Sequence, residues 1–260
     1  MKIYEYGNQN KSKILLIHGM WMTHEMMLPY VDQLMDDYHI IAPDLTGHGS
    51  DKGRFESAQK EAAEITDWLI QNQMKELALV FGVSLGSVIA MNVISHEELL
   101  HTHCAVMEGA SLTRVHGVEW LFRAMFREMK KRLETIANLY ASMPKLDSDV
   151  QQKLLDTMAN TDKEELFNLV HACNSYPFEE CPLSPELQRH LFLNSGTEIL
   201  IWSVRKQLEN IITKRGSQQE KAMDTAATCL RTGRTMQRCC AAIWKRKNET
   251  AALANVGEFG

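Results

Sequence analysis

Five short apolar runs recur along the chain, and each leads into glycine. They are Lys13–Gly19 (KILLIHG), Tyr38–Gly49 (YHIIAPDLTGHG), Leu77–Gly82 (LALVFG), His103–Gly109 (HCAVMEG) and His190–Gly196 (HLFLNSG). Runs rich in aliphatic and β-branched residues, with little polar alternation, are typical of parallel strands that are covered on both faces. We therefore predict five buried strands.

Helical segments separate the first of these runs. The predicted helices are Met27–Met35, Ala58–Gln73 and Ser87–Ser95. This alternation of strand and helix predicts an α/β fold with a mostly parallel, doubly wound sheet. Beyond the fourth run, two long helical stretches follow each other with no strand between them, which predicts an inserted helical cap over the carboxyl edge of the sheet. The predicted organisation is residues 1–111 for the first part of the core, 112–185 for the cap, 186–216 for the second part of the core and 217–260 for an atypical tail.

The composition excludes several classes of function. The 260 residues are 45% hydrophobic and carry a net charge of −5, so we expect no nucleic acid as partner. A small-molecule substrate is expected from the motifs of the chain rather than from its composition. The first residues lack an apolar signal segment, and no apolar stretch is long enough to span a bilayer, which favours a cytoplasmic protein with no membrane partner. The six cysteines have neither disulfide nor metal-ligand spacing, so we expect no metal and no cofactor. Nothing in the composition defines an oligomeric state.

The third strand leads into Gly82-Val83-Ser84-Leu85-Gly86, a Gly-x-Ser-x-Gly motif between a predicted strand and a predicted helix. A nucleophile on such a turn has a strained backbone, and side chains two residues before or after it would collide with the strand and the helix. Ser84 is therefore the candidate nucleophile, which requires a base to accept its proton. The alternative is a tight turn with an incidental serine.

A second feature agrees with the first. The strand Lys13–Gly19 ends in His18-Gly19, and the N–H group of the next residue, Met20, can face the N–H group of Leu85. Together these two N–H groups would form an oxyanion hole, in which each preorganised donor contributes about 3 kcal/mol. We expect His18 to order this loop through hydrogen bonds rather than to act as a base.

Three motifs, LLIHGM, IIAPDLTGHGSD and GVSLGS, follow one another in an order and spacing that resemble the α/β-hydrolase fold family. The resemblance extends from about Lys13 to Lys214. It implies a sheet of the α/β-hydrolase type and a serine hydrolase that cleaves a carboxylic ester, or another small acyl substrate, through an acyl-Ser84 intermediate. It also implies that Asp44 and His48 order the loop beside the pocket, with a contact to substrate as the alternative role. Dehalogenases of this fold use an aspartate nucleophile, so the serine of this motif disfavours that activity.

The same resemblance implies where the catalytic acid lies. The chain order of the family is serine, acid, histidine. Gly196-Thr197-Glu198 matches the turn that carries the acid after the cap, so Glu198 is the candidate that would orient a histidine. Glu198 also fits a carboxylate at the start of the following helix, and the two roles are compatible. Glu108, at the end of the preceding strand, is the alternative acid.

The histidine that should follow the acid is absent from the sequence, so the base is not identifiable. Every histidine precedes Glu198: His18, His24, His39, His48, His96, His101, His103, His116, His171 and His190. His190, the last of them, is predicted inside a strand rather than on a loop. Whether the chain is an active enzyme is therefore open, and an inactive hydrolase fold that binds a small apolar ligand is the alternative function.

A change of reading frame offers a third explanation. When Glu220–Cys229 is back-translated and read two nucleotides later, Met223-Asp224 requires a glycine codon and Asp224-Thr225 requires histidine or tyrosine. Suitable codons spell Lys-Gly-Tyr-Gly-His-Cys-Gly-Tyr-Val, which contains the Gly-His of the family's catalytic loop. The tail is also basic and rich in cysteine, unlike the rest of the chain. We hypothesise that the chain leaves its ancestral frame between about Lys214 and Glu220, and we expect weak or absent activity and low solubility.

Overall fold

The computed structural model describes residues 1–109, 117, 119–141, 147–176 and 183–194, all within the unit Met1–Lys214. The strands are β1 (Lys2–Gly7), β2 (Lys13–Ile17), β3 (His39–Asp44), β4 (Glu76–Val83), β5 (His101–Thr102), β6 (Ala105–Glu108) and β7 (Leu191–Asn194). The helices are α1 (Leu28–Leu34), α2 (Ala58–Gln71), α3 (Leu85–Ile94), α4 (Glu119–Lys131), α5 (Leu133–Ala141), α6 (Ser148–Asn160), α7 (Lys163–Ala172) and α8 (Pro185–Arg189), with a 3₁₀ helix at His24–Met27.

The described strands form one sheet in the order β1-β3-β2-β4-β6-β7, with β5 beside β4. All pairs are parallel except β1 with β3, which is antiparallel. Each of the five predicted strands is present, so the predicted mostly parallel α/β sheet is confirmed. The prediction missed β1, a half-exposed edge strand, and the two-residue β5.

Apolar burial places the core around the central strands. Ile14–Ile17 of β2 are fully buried, and every residue of β3 is buried. Every residue of α3 is buried as well, so this helix packs within the core rather than along its surface. Each fully buried aliphatic side chain contributes about 1.5–3 kcal/mol relative to an exposed one. The centre of the sheet, where the candidate nucleophile lies, is therefore its best-packed part.

The predicted insertion is helical. The helices α4 to α7 lie between β6 and α8, and no strand interrupts them in the residues that the structure describes. The last two are capped by aspartates: Asp147 accepts the Asp149 N–H ahead of α6, and Asp162 accepts the N–H groups of Glu164 and Glu165 ahead of α7. Thr161, the residue that ends α6, contacts the loop after β2, and Thr157 of α6 contacts the loop after β3, so this end of α6 lies at the carboxyl edge of the sheet.

No helix in the described ranges is both long enough and apolar enough to cross a bilayer.

Candidate active site

Ser84 connects a strand to a helix. The strand β4 ends at Val83, and α3 begins at Leu85. Between them Ser84 has φ +52° and ψ −115°, a backbone conformation that costs a residue other than glycine about 1–3 kcal/mol. The Ser84 N–H donates to the Glu108 carbonyl at 2.7 Å, and the Ser84 carbonyl accepts the Ser87 N–H at 3.0 Å. These backbone hydrogen bonds hold the strained turn. The Ser84 hydroxyl is half-buried and has no hydrogen-bond partner among the described residues.

The two glycines of the motif allow the backbones around Ser84 to approach closely. A β-carbon placed on Gly82 would lie 2.4 Å from the Gly86 carbonyl oxygen. One placed on Gly86 would lie 2.3 Å from the Ile17 carbonyl oxygen and 2.5 Å from that of His18. These separations are shorter than van der Waals contact, so no side chain fits at either position. The steric requirement that the sequence predicted for both glycines is confirmed.

Ser87 supports the turn from within α3, a role that the sequence analysis missed. The fully buried Ser87 hydroxyl donates to the Gly82 carbonyl at 2.7 Å and accepts the Glu108 N–H at 3.1 Å. It therefore joins α3 to both β4 and β6 beside Ser84. The available signal was a hydroxyl residue within the otherwise apolar segment Gly86–Ala90, where a buried polar group requires partners.

The Gly19–Met20 peptide lies on the loop after β2 and is held from its carbonyl side. The Gly19 carbonyl accepts hydrogen bonds from His18 Nδ1 at 2.8 Å and from the Met22 N–H at 3.1 Å. Because the C=O and N–H groups of a trans peptide point in opposite directions, these bonds also orient the Met20 N–H. The loop therefore presents that N–H group in a fixed direction.

His18 performs this function as a neutral ring. Its Nε2 accepts the Leu45 N–H at 3.1 Å, so the proton lies on Nδ1, which donates to Gly19. The pKa of His18 is lowered to about 3, mainly because the ring is completely buried and to a smaller extent because His48 lies nearby. The prediction that His18 orders the loop through hydrogen bonds is confirmed.

The loop passes next to the nucleophile. A β-carbon placed on Gly19 would lie 3.4 Å from Ser84 Cβ. Leu85 is the first residue of α3, where an N–H group has no acceptor within the helix. Neither the Met20 nor the Leu85 N–H donates to another described residue. The two groups predicted as an oxyanion hole thus belong to the two segments that meet at Ser84.

The structure describes one of the two candidate acids, Glu108. Glu198 lies outside the described residues. Glu108 is the last residue of β6, directly opposite Val83 in the parallel register. Burial raises the pKa of Glu108, and its carboxylate makes no hydrogen bond or ion pair with a described residue. Burial of the Tyr30 ring raises the pKa of Tyr30, and the negative charge of Glu108 raises it further.

The described histidines interact with groups other than the Ser84 hydroxyl. Besides His18, they include His24 with Asp44, His39 with Glu5, His48 with Thr46, His96 with Glu98, His171 with Glu119 and His190 with the Glu186 carbonyl. His116 lies outside the described residues. Among the described residues, no histidine forms a hydrogen bond with the Ser84 hydroxyl, so the base is still not identifiable.

The position predicted for His190 was wrong. It lies in the turn between α8 and β7 rather than in the strand, because α8 ends at Arg189 and His190 forms its carboxyl-terminal cap. The Nδ1 atom of the ring lies 3.1 Å from the Glu186 carbonyl oxygen, and the His190 carbonyl accepts the Ala105 N–H of β6 at 3.0 Å, so His190 forms the junction between helix and strand.

Asp44 and His24 are buried and form a cluster with the partly buried Glu25, all three being residue types that bind metals. The Asp44 carboxylate accepts the His24 backbone N–H at 2.7 Å and lies 2.9 Å from His24 Nδ1. Burial by itself would raise the pKa of Asp44, but the hydrogen bonds from His24 outweigh it and lower the pKa. Glu25 accepts the Thr23 hydroxyl at 2.5 Å and pairs with Lys153. Each potential ligand thus has a protein partner, which agrees with a structural role for Asp44.

His48 has a similar environment. Its ring is buried, and Nδ1 donates to the Thr46 carbonyl at 3.0 Å within the same loop. Burial lowers the pKa of His48. A buried, neutral ring that closes its own loop fits the structural role expected for this residue.

Comparisons with known proteins agree with this geometry. The sequence matches the alpha/beta hydrolase family over residues 14–206, and the chain belongs to that family. It is 31% identical over 100 residues to the (E)-2-((N-methylformamido)methylene)succinate hydrolase of Acinetobacter baylyi. That match covers 37% of this chain and spans only 37% of the length of the curated relative.

Solved structures of low sequence identity share the fold. An alpha/beta hydrolase family protein from Desulfitobacterium hafniense matches with a TM-score of 0.54 and 17% identity, over 82% of this chain and 99% of its own. An esterase from Exiguobacterium antarcticum matches with a TM-score of 0.55 and 13% identity, over 80% of this chain and 94% of its own. These likenesses establish the alpha/beta hydrolase fold, which was the fold predicted from the sequence.

Proposed function

We propose that this chain is a serine hydrolase by lineage, which cleaves a carboxylic ester or another small acyl substrate through an acyl-Ser84 intermediate. The observation that carries the proposal is the strained conformation of Ser84 between β4 and α3, with φ +52°. Strain of this kind persists only where surrounding contacts impose it, and it concentrates at functional sites. The fixed Gly19–Met20 peptide beside Ser84 is a second support.

The proposed chemistry begins with attack of Ser84 Oγ on the acyl carbon. The carbonyl π electrons move to oxygen, and the Met20 and Leu85 N–H groups stabilise the resulting oxyanion. Collapse of this intermediate breaks the bond to the leaving alkoxide, which takes up the proton that Ser84 lost and departs as the alcohol, and the acyl group stays on Ser84. Water then hydrolyses the acyl-enzyme to the acid and regenerates the hydroxyl.

Proton transfer limits both steps in this chain. Ser84 must lose a proton in acylation, and water must lose one in deacylation. Glu198, or Glu108 as the alternative, would orient a histidine that performs these transfers, but no histidine follows Glu198 in the sequence. Loss of the base costs a serine triad a factor of about 10⁶ in turnover. The proposed activity is therefore strongly impaired.

A hydrolase fold that binds a small ligand without turnover is the second candidate. The observation that favours it is that the described histidines have partners other than the Ser84 hydroxyl. This candidate predicts that small apolar esters raise the melting temperature of the protein while they remain intact. The names of the hydrolase and esterase relatives favour the first candidate, because they indicate bond hydrolysis on this fold.

Labelling with a fluorophosphonate tests the proposal. The probe forms an O–P bond to an active serine as fluoride leaves, and digestion with mass spectrometry identifies the labelled residue. We expect slow labelling at Ser84, loss of labelling in Ser84→Ala, and normal labelling in the matched control Ser95→Ala at the other end of α3. Labelling that survives Ser84→Ala would contradict the assignment of the nucleophile. Complete absence of labelling, with ester-induced stabilisation, would favour the binding protein.

A further inference from the structure

Trp21 has a conformation that its local sequence does not explain. It is the third residue of a four-residue turn, Gly19–Met22, which is closed by the Met22 N–H on the Gly19 carbonyl. Trp21 has φ +61°, whereas glycine or asparagine is preferred at this position of a turn with positive φ. Contacts outside the turn must therefore hold a tryptophan there.

Those contacts come from the cap. Trp21 is 4% exposed, and its indole N–H donates to Thr161 Oγ1 at 3.0 Å. The Thr161 hydroxyl donates in turn to the Thr157 carbonyl at 2.8 Å, so its lone pairs are oriented to accept the indole proton. The Phe126 ring of α4 packs edge-to-face on Trp21, with centroids 5.4 Å apart and planes at 88°. The Thr161 carbonyl also accepts a hydrogen bond from Lys130 of α4.

Thr161 is one of three side chains at four-residue spacing that join α6 to the core. Lys153 pairs with Glu25, and Thr157 Oγ1 accepts the Gly49 N–H at 3.2 Å. Residues four apart lie on one face of a helix, so this face of α6 contacts the core from Lys153 to Thr161, the residue that ends the helix. Of the three contacts, the one from Thr161 reaches the turn that contains Met20.

We propose that Trp21 is a positioning residue through which the cap fixes the Gly19–Met20 peptide beside Ser84. The proposal rests on the proposed function, in which the Met20 N–H stabilises the oxyanion. Docking of the cap holds Trp21 in its left-handed conformation, the turn keeps its Gly19–Met22 hydrogen bond, and the Met20 N–H keeps its direction. Release of the Trp21–Thr161 contact allows the turn to relax toward conformations without positive φ, and the donor is then misdirected.

Hydrogen exchange measures the order of this turn without any need for turnover. Trp21→Phe removes the indole N–H and keeps most of the buried ring, while Thr161→Val removes its acceptor with little change in volume. A lost buried hydrogen bond corresponds to about fivefold faster exchange of the turn amides in each variant. Because both variants remove the same bond, the double variant should exchange no faster than either single one. Thr161→Ser, which retains the hydroxyl, and Trp68→Phe on α2 should match the wild type.

The rate of fluorophosphonate labelling at Ser84 separates a positioning role from a purely structural one. Removal of one oxyanion donor costs about 10²–10³ in rate, so we expect at least tenfold slower labelling in Trp21→Phe and Thr161→Val. Normal labelling in Thr161→Ser and Trp68→Phe completes the expected pattern. Unchanged exchange in the turn would overturn the proposal, as would faster exchange with undiminished labelling. If wild-type Ser84 is not labelled at all, the proposed function fails, and the exchange data alone decide whether the cap orders the turn.

Discussion

Replacement of Ser84 by glycine should stabilise the protein, although it removes the proposed nucleophile. The reason is the backbone of Ser84, whose φ of +52° is unfavourable for any side chain with a β-carbon. The Ser84 hydroxyl makes no hydrogen bond to a described residue, so its removal sacrifices no interaction that the structure shows. The substitution should therefore relieve strain at little cost in contacts.

The expected magnitude is the difference between two effects. The strain amounts to about 1–3 kcal/mol, and the greater conformational entropy of glycine in the unfolded chain costs about 0.5–1 kcal/mol. The free energy of unfolding should therefore rise by up to about 2.5 kcal/mol. For a chain of this size, each kcal/mol corresponds to a shift of about 2–4 °C in melting temperature.

Urea denaturation, followed by circular dichroism, measures this change against two controls. Ser84→Ala keeps a β-carbon, so its stability should match the wild type. Ser95→Gly places glycine at φ −72° and removes a hydroxyl that donates to the Asn92 carbonyl at 2.7 Å, so it should destabilise the protein by about 1–2 kcal/mol. If Ser84→Gly destabilises the protein as much as Ser95→Gly does, the inference of a strained turn is refuted.

Two further predictions concern the packing and the protonation of the site. Gly86→Ala should lower the free energy of unfolding by about 1–3 kcal/mol or more, because the added carbon would lie 2.3 Å from the Ile17 carbonyl oxygen; wild-type stability in urea denaturation would refute this. The pKa of His18 is lowered to about 3 in the folded state, so its contribution to stability is complete above the unfolded pKa of about 6.5 and is lost as the pH falls toward 3. Between pH 6 and 4, His18→Asn should therefore show a slope of stability against pH that is shallower than that of the wild type by about 1.4 kcal/mol per pH unit; equal slopes would contradict the assignment of a buried, neutral ring.

The central strands and the Ser84 turn were predictable because their signals are local. Runs such as Lys13–Gly19 are apolar on both faces, and the Gly-x-Ser-x-Gly motif contains its own steric requirement. The strand β1 was missed because KIYEYG is a half-exposed edge strand without a buried run. His190 was misplaced because it directly precedes the apolar residues of β7, while the helix that ends beside it is only five residues long.

The sequence predicted that His18 orders its loop, but the partners that support the Ser84 turn depend on tertiary contacts and could not be read from it. His18 holds the Gly19 carbonyl and also accepts an N–H group from Leu45 on another loop. Trp21 and Thr161 are joined by a hydrogen bond across a sequence separation of 140 residues. No periodicity or motif connects such positions. The assignment of Glu198 and the change of frame between about Lys214 and Glu220 fall outside the described residues, and the nucleotide sequence of the gene tests the latter directly.

The central claim is that Ser84 forms an acyl-enzyme that this chain cannot turn over efficiently. Intact-protein mass spectrometry after addition of a short acyl ester tests it most directly, with peptide mapping to locate the acyl group. The account predicts that a single acyl group accumulates slowly on Ser84, persists after the ester is removed, and is absent from Ser84→Ala. An acyl group on another residue would contradict the claim, as would rapid hydrolysis of the ester, whether or not Ser84→Ala abolishes it.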